Sequence, residues 1–151
     1  MKTVNDLINH CERALEEDWQ YVYGAKGKKL NRNQILALQK RWGKDKVYDS
    51  DLNKAEKTCC DCSGLISSLT GIERNTTEYK NTANETKGLK ERTKGMKGWG
   101  VWKKGHIGVY DGNDGYYAMD GSNRNMVHYN LSENSFTHII KLCDIDYDKN
   151  H

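Results

Sequence analysis

Apolar residues recur at three- and four-residue steps through the first part of the chain and alternate through the last. Val4, Leu7, Ile8, Cys11, Leu15 and Trp19 form one stripe, with Glu, Asp and Arg opposite, which predicts an amphipathic helix over residues 3–20. Thr3 and Asp6 have the spacing of a capping box at its start. Cys11 falls on the apolar stripe and is expected as a buried structural thiol. Residues 21–27 are turn-rich. A second helix is expected over Asn31–Trp42, with Ile35, Leu36, Leu38 and Trp42 inward and Gly43 as its stop. Ser50 or Asp49 is a candidate cap for a short third helix. From Cys62 the series Leu65, Ile66, Leu69 continues a helical face to Gly71. Residues 72–98 nearly lack large apolar side chains and read as a long surface loop with at most one helical turn. Beyond Gly98 the period drops to two. Strands are expected at 99–102, 106–110, 116–119, 125–129 and 137–142, with Asp111–Gly115 as a hairpin turn.

Helices first and strands second is an α+β layout. A chain of 151 residues suits one domain spanning 1–151. The composition is polar, with 30% charged residues, yet four Trp and nine Tyr supply core anchors, which argues against general disorder. A net charge of +3 is too small to imply nucleic acid as a partner. No apolar run of membrane-spanning length is present, and the amino terminus enters an amphipathic pattern directly, so neither membrane insertion nor a secretory signal is expected. Five cysteines, two of them adjacent, make a poor disulfide framework and point to free thiols in a reducing compartment.

Three of the five cysteines lie in Thr58-Cys59-Cys60-Asp61-Cys62-Ser63-Gly64, where a polar segment gives way to the third main helix. A cysteine at a helix start meets free N–H groups and the positive end of the helix dipole, which favour a thiolate. Cys62 fits best as a nucleophile, because Ser63 and Gly64 leave it uncrowded and Leu65 and Ile66 pin the helix to the core. His106 is the best candidate base. It opens a strand and shares a face with Gly108 and Tyr110, and Gly108 would let a helix approach closely. His128 and His138 read as structural or exposed, and His10 and His151 as peripheral. The same residues admit plainer readings: Cys-Ser-Gly at a helix start also serves as a tight packing point. Cys59-x-x-Cys62 has zinc or redox spacing, but no second Cys or His pair closes a metal site and no βαβ context supports a dithiol. No cofactor is expected. Eight Lys and Arg in residues 80–104, against two Glu, read as a solvated face or as an attraction for an anionic polymer such as bacterial cell wall.

Taken together, Tyr21-Val22-Tyr23-Gly24, Asp61-Cys62-Ser63-Gly64-Leu65 and Gly105-His106-Ile107-Gly108-Val109-Tyr110-Asp111-Gly112 resemble the NlpC-type, papain-like cell-wall cysteine peptidases, in order and in approximate spacing along nearly the whole chain. The stretch from Leu131 to Leu142 is similar to versions found in phage endolysins. The resemblance implies a papain-like fold, with amino-terminal helices packed on a carboxy-terminal antiparallel sheet and Cys62 at the start of the central helix. It implies Cys62 as nucleophile and His106 as general base. Tyr21 is then placed near the oxyanion and substrate, and Asp61 and Ser63 line the site where some relatives hold the free amine of a stem peptide. The family sets a polar residue on the next strand to orient the imidazole. Here that stretch reads Tyr116-Tyr117-Ala118-Met119-Asp120, and Asp120 is the chemically sensible choice among Tyr117, Ala118, Met119 and Asp120.

The activity so implied is hydrolysis of bacterial peptidoglycan at the bond between D-γ-glutamate and the diamino acid. A monomeric phage or prophage lysin is expected, made in the cytoplasm without a signal peptide and released by a holin or exported otherwise. The rival readings are an N-acetylmuramoyl-L-alanine amidase using the same dyad, and a catalytically inactive wall-binding domain.

Overall fold

Thr3 caps the first helix as its spacing predicts: its hydroxyl accepts from the Asp6 N–H, and the Asp6 carboxylate accepts from the Thr3 N–H. The computed structural model describes residues 1–148, so His151 lies outside the described residues. Strand β1 (Lys2–Thr3) leads into α1 (Val4–Glu16), which buries Val4, Leu7, Cys11 and Ala14. The helix ends before Trp19, short of the predicted boundary. Asp18 takes a left-handed φ of 54°, and the Trp19 N–H turns back to the Ala14 carbonyl, so the indole covers the core from outside the helix.

Two short strands, β2 (Gln20–Tyr21) and β3 (Lys26–Lys29), follow and sandwich β4 (Thr58–Cys60), β2 in parallel and β3 antiparallel. Between β3 and β4 runs α2 (Arg32–Trp42), capped by Asn31 with Gln34 and stopped at Gly43. Its buried face differs from the expected one. Ile35 is inward, but Leu36 and Trp42 are 37% and 41% exposed. One turn on from Ile35 the buried residue is Gln39, whose amide donates to the Val47 carbonyl and to Asp49. A polar residue satisfied in this way carries no apolar signal, which is why the stripe misleads. The turn at Asp49–Lys54 is a 3₁₀ helix, and neither Ser50 nor Asp49 caps it: Asp51 reaches back to the Tyr48 N–H.

Helix α3 (Cys62–Thr70) is capped by Asp61 and closed by Gly71 in the left-handed conformation. Residues 72–98 are more ordered than a loop. They form α4 (Thr76–Thr82), with an Asn75–Glu78 capping box, and β5 (Glu85–Gly88). Tyr79 anchors α4 through a 2.7 Å hydrogen bond to Ser67. Strand β5 is held by backbone pairing at a sheet edge, where charged side chains are normal, so it gives no alternating pattern.

The carboxy-terminal half supplies β6 (Gly100–Lys103), β7 (His106–Tyr110), β8 (Gly115–Met119), β9 (Met126–Asn130), β10 (His138–Lys141) and β11 (Ile145–Asp146). Six strands make one antiparallel sheet in the order β5-β10-β6-β7-β8-β9, and β1 pairs in parallel with β11. The Asp111 carboxylate accepts from the N–H groups of Asn113 and Gly115 and shapes the β7–β8 hairpin. The sheet is buried on both faces. Ile107, Val109 and Tyr117 pack with Leu65 and Ile66 of α3 and with α1, whereas Tyr110, Tyr116 and Ala118 pack with Trp99, Leu131 and Phe136. A third, smaller cluster joins Ile35 to Val22, Ala25, Val47 and Cys59. The architecture is thus α+β, with helices on an antiparallel sheet, and among the described residues no helix is long and apolar enough to cross a membrane.

Candidate active site

Cys62 is the first residue of α3 and is 7% exposed. Its thiol lies 3.9 Å from the Gly105 carbonyl oxygen, to which it donates. Burial pushes the thiol up to about 11, the neighbouring Asp61 carboxylate adds to that, and hydrogen bonds from the N–H groups of Ile107, Ser63 and Cys62 itself oppose it. A resting thiolate was the expectation from a helix start. Here burial outweighs the helix end and holds the thiol above its ordinary value.

Gly64 is required by close approach. A Cβ there would fall 2.8 Å from Asp61 Oδ1, 2.9 Å from the Ala25 carbonyl and 2.9 Å from the Cys60 sulfur. The neighbouring thiols of Cys59 and Cys60 are fully buried in β4, where burial raises both. Cys11 is fully buried in the α1 core, as its place on the stripe predicts, and all five cysteines are free.

His106 stands between Gly105 and Ile107, the two residues whose backbone touches the sulfur. Its Nε2 lies 2.7 Å from Asp120 Oδ1, and its ring stacks on Phe136 at a centroid distance of 5.4 Å. The Asp120 side chain is 1% exposed and receives three further hydrogen bonds: Tyr116 Oη at 2.7 Å, Asn134 Nδ2 at 2.8 Å and Arg124 at 3.0 Å. Burial raises its pKa, but the His106, Tyr116 and Arg124 contacts outweigh that and hold it below the ordinary carboxylate value. Gly108 does not admit a helix. Helix α3 packs on the Ile107 and Val109 face, and the space at Gly108 is taken by Tyr116, Tyr117 and Ala118 of β8.

A cleft of about 510 Å³ opens over the sulfur and brings Tyr21, Asp61, Cys62 and Ser63 together with Gly105. Tyr23 and Trp42 meet edge to face on one side of it, and Arg41 lies 4.9 Å from the Trp42 ring centroid. Asp120 does not line this cleft; it borders a separate hollow with Arg124 and Asn134. Burial, with Cys62 and Asp61 nearby, holds the Tyr21 phenol far above its usual pKa, so its hydroxyl stays a neutral donor. Asp61 Oδ1 accepts from Gly64 N–H at 2.7 Å and from Ser63 Oγ at 3.3 Å, and Oδ2 accepts from Gly24 N–H at 3.2 Å and from Lys26 Nζ at 3.0 Å.

Several of these residues carry no signal in the sequence. Lys26 sits among glycines and lysines, and Phe136 and Asn134 follow a polar turn. Lys54 is a lysine in a polar run, yet its Nζ contacts Asp51 at 2.7 Å, donates to the Tyr21 carbonyl at 2.7 Å and to the Ser122 carbonyl at 3.0 Å, and ties the Tyr21 strand to the loop after Asp120. His10 is not peripheral: it bonds the Leu65 carbonyl and Ser68 Oγ, both at 2.9 Å, and packs on Trp19. His128 pairs with Asp111, and His138 bonds Thr137, both partly exposed. Among the described residues no group of three His, Cys, Asp or Glu is placed to hold a metal ion. The basic stretch is partly neutralised through Arg92–Asp114 and Lys87–Glu85.

No protein-family model and no curated protein matches the chain. Solved structures do. The chain is similar to the peptidoglycan hydrolase RipB of Mycobacterium tuberculosis, with a TM-score of 0.53 and 18% identity, covering 95% of this chain and 67% of that one. It is similar to NlpC2 of Trichomonas vaginalis, with a TM-score of 0.54 and 12% identity over 91% of this chain and less than half, 46%, of that one. It is also similar to the P60 domain of antigen MAP1204 from M. avium subspecies paratuberculosis, with a TM-score of 0.54 and 16% identity, covering 95% and 98%. With helix α3 presenting Cys62 to the β6–β7 turn, the chain has the papain-like fold of NlpC/P60 domains.

Proposed function

We propose that the chain is a peptidoglycan hydrolase, a cysteine endopeptidase in which Cys62 is the nucleophile, His106 the general base and Asp120 the residue that orients it. The observation that carries this reading is the placement of the Cys62 sulfur against the backbone on both sides of His106, while Asp120 takes the imidazole Nε2 at 2.7 Å. RipB, whose fold this chain shares, is a peptidoglycan hydrolase, which supports the substrate class.

With Nε2 bonded to Asp120, Nδ1 is the nitrogen left to take the thiol proton. The sulfur attacks the carbonyl of a stem-peptide amide, and a carbon–sulfur bond forms. N–H groups at the start of α3 and the neutral Tyr21 hydroxyl stabilise the oxyanion. His106 returns the proton to the leaving amine as the carbon–nitrogen bond breaks. Water then attacks the thioester, giving its proton to His106, and the acid leaves with the thiol restored. The bond cut is that between D-γ-glutamate and the diamino acid, and the protein works as a monomeric phage or prophage lysin reaching the wall after release from the cytoplasm.

Digestion of purified peptidoglycan followed by mass spectrometry tests this. New γ-glutamyl carboxyl ends are expected, and free lactyl ends would instead mark an amidase. Loss of turbidity with wild type but not with Cys62→Ala is expected; binding without any loss by the wild type would mean a wall-binding domain.

A further inference from the structure

Resting on the reading of Cys62 and His106 as nucleophile and base, the balance of charge around Asp120 decides what that base can do. A carboxylate with a side chain 1% exposed needs a cation against it, or it takes up a proton. Two cations are in reach. One is His106 in its imidazolium form, whose Nε2 shares Oδ1 with Asn134 Nδ2. The other is Arg124, whose Nη1 shares Oδ2 with the Tyr116 hydroxyl. With His106 as the one counter-ion, the buried carboxylate would hold the imidazole protonated, and a protonated imidazole takes no proton from a thiol.

The turn after β8 is folded to bring Arg124 to this place. Asn125 takes a left-handed φ of 58°, which asparagine tolerates better than most residues. The N–H groups of Arg124 and Asn125 both return to the Gly121 carbonyl, and the Asp120 N–H donates to the Asn125 carbonyl. Arg124 thus folds back over the residue four positions before it. The same Nη1 donates to the Glu133 carbonyl at 3.0 Å, and the guanidinium lies 5.3 Å from the Tyr129 ring centroid. The other charged and titratable groups around the pair do not take this role. Lys103 faces His106 across β6 and β7, but its Nζ donates to Ser135 Oγ at 3.2 Å, and Lys104 is exposed. The Glu133 carboxylate lies 3.8 Å from Arg124 Nη2. Burial pushes the Tyr116 phenol up to about 12, so it is a neutral donor. On the α3 side stand the Cys62 thiol, the Tyr21 phenol and Asp61, which is paired with Lys26 at 3.0 Å.

We propose that Arg124 is a positioning residue acting through Asp120: as the permanent counter-ion of the buried carboxylate it relieves His106 of that role, so that the imidazole is free to be neutral and to take the thiol proton near neutral pH. A guanidinium is charged at every working pH, so the pairing holds whether or not His106 carries a proton. Tyr116 and Asn134 fix the direction of the carboxylate and bring no charge.

The test reads the Cys62–His106 pair without a substrate, from the rate at which iodoacetamide alkylates Cys62 across about pH 5 to 9, followed by peptide mass mapping. Arg124→Gln keeps a hydrogen-bond donor and loses the charge. It is expected to move the acid limb of that rate up by about half a unit or more, because the imidazolium is then the one cation left to Asp120. Arg124→Lys keeps the charge and is expected to keep the limb near that of wild type. Asp120→Asn removes the carboxylate, and adding Arg124→Gln to it is expected to leave the limb where Asp120→Asn alone puts it. The double variant buries no unpaired charge, so it decides the matter even where Arg124→Gln alone does not fold. Peptidoglycan release by Arg124→Gln should fall on the acid side and recover above the limb, whereas a merely structural loss would persist at every pH. A limb that Arg124→Gln leaves in place or moves down, or one that it moves equally with and without the Asp120 carboxylate, overturns the role of Arg124, and release from peptidoglycan by the wild type then still upholds the hydrolase reading. A set of variants with the expected limbs and a wild type that releases nothing from peptidoglycan overturns the hydrolase reading and leaves the role of Arg124 standing.

Discussion

Lys54 Nζ lies 2.7 Å from Asp51 Oδ1, and Asp51 is fully buried. The same ammonium bonds the carbonyls of Tyr21 and Ser122, so one charge pair braces the cleft strand against the loop that follows Asp120. Removing the cation leaves a carboxylate in the interior. Lys54→Met is therefore expected to lower unfolding free energy by about 3 kcal/mol in urea titration. Adding Asp51→Asn should restore part of it, because the two changes act on one network.

Asp120→Asn keeps the volume of the side chain but removes the charge that four donors share. Peptidoglycan release is expected to drop by at least about tenfold while the fold is retained, as for other residues that orient a catalytic imidazole. Circular dichroism checks the fold and single-turnover kinetics the activity.

The thiols separate by role. Cys62→Ala should abolish lysis and leave the melting temperature nearly unchanged. Cys59→Ala and Cys60→Ala should keep lysis and lose about 1 kcal/mol of stability each, because both are packed in β4. With burial and Asp61 holding the Cys62 thiol at about 11, its alkylation at neutral pH depends on a base. His106→Ala is expected to slow iodoacetamide labelling of Cys62, followed by peptide mass mapping.

Acid sensitivity follows from two carboxylates. Arg74 holds Asp144 below the ordinary value through hydrogen bonds at 2.7 and 3.0 Å, against the opposing effect of burial, and Asp120 is likewise depressed. A depressed carboxylate contributes stability that is fully present above its unfolded pKa of about 3.9 and is lost as pH falls through the folded value. Stability should therefore be flat near neutrality and decline below about pH 4. Arg74→Met is expected to make that decline shallower, as read from melting temperatures across pH.

Trp42 carries the exposed aromatic surface of the cleft wall and little of the core. Trp42→Ala is expected to raise KM on peptidoglycan several-fold, with kcat and melting temperature close to wild type, the pattern of lost uniform binding.

The parts of this molecule legible from sequence are those governed by local rules. The Thr3–Asp6 box, the Gly71 stop and the Asp111 hairpin are short-range devices that residue type alone specifies. The order of Tyr21, Cys62 and His106 along the chain was legible as a motif, and the structure brings Tyr21 and Cys62 into one cleft, with the backbone on either side of His106 against the Cys62 sulfur. What escaped depends on long-range pairing. Strand β5 has no apolar alternation because backbone bonds to β10 hold it, and Gln39 is buried because Val47 and Asp49 satisfy it. Lys26 and Lys54 look like any surface lysine until the fold sets a carboxylate beside each.

The two sides of the sheet have separate interiors, and the proposed nucleophile and base draw on different ones. Cys62 rides on α3 above Ile107 and Val109, while the His106 ring leans on Phe136 from the other layer. Such an arrangement works as an interlock. Loosening either interior shifts α3 relative to the strand that carries His106, so partial unfolding on one side of the sheet is enough to take the proposed site apart.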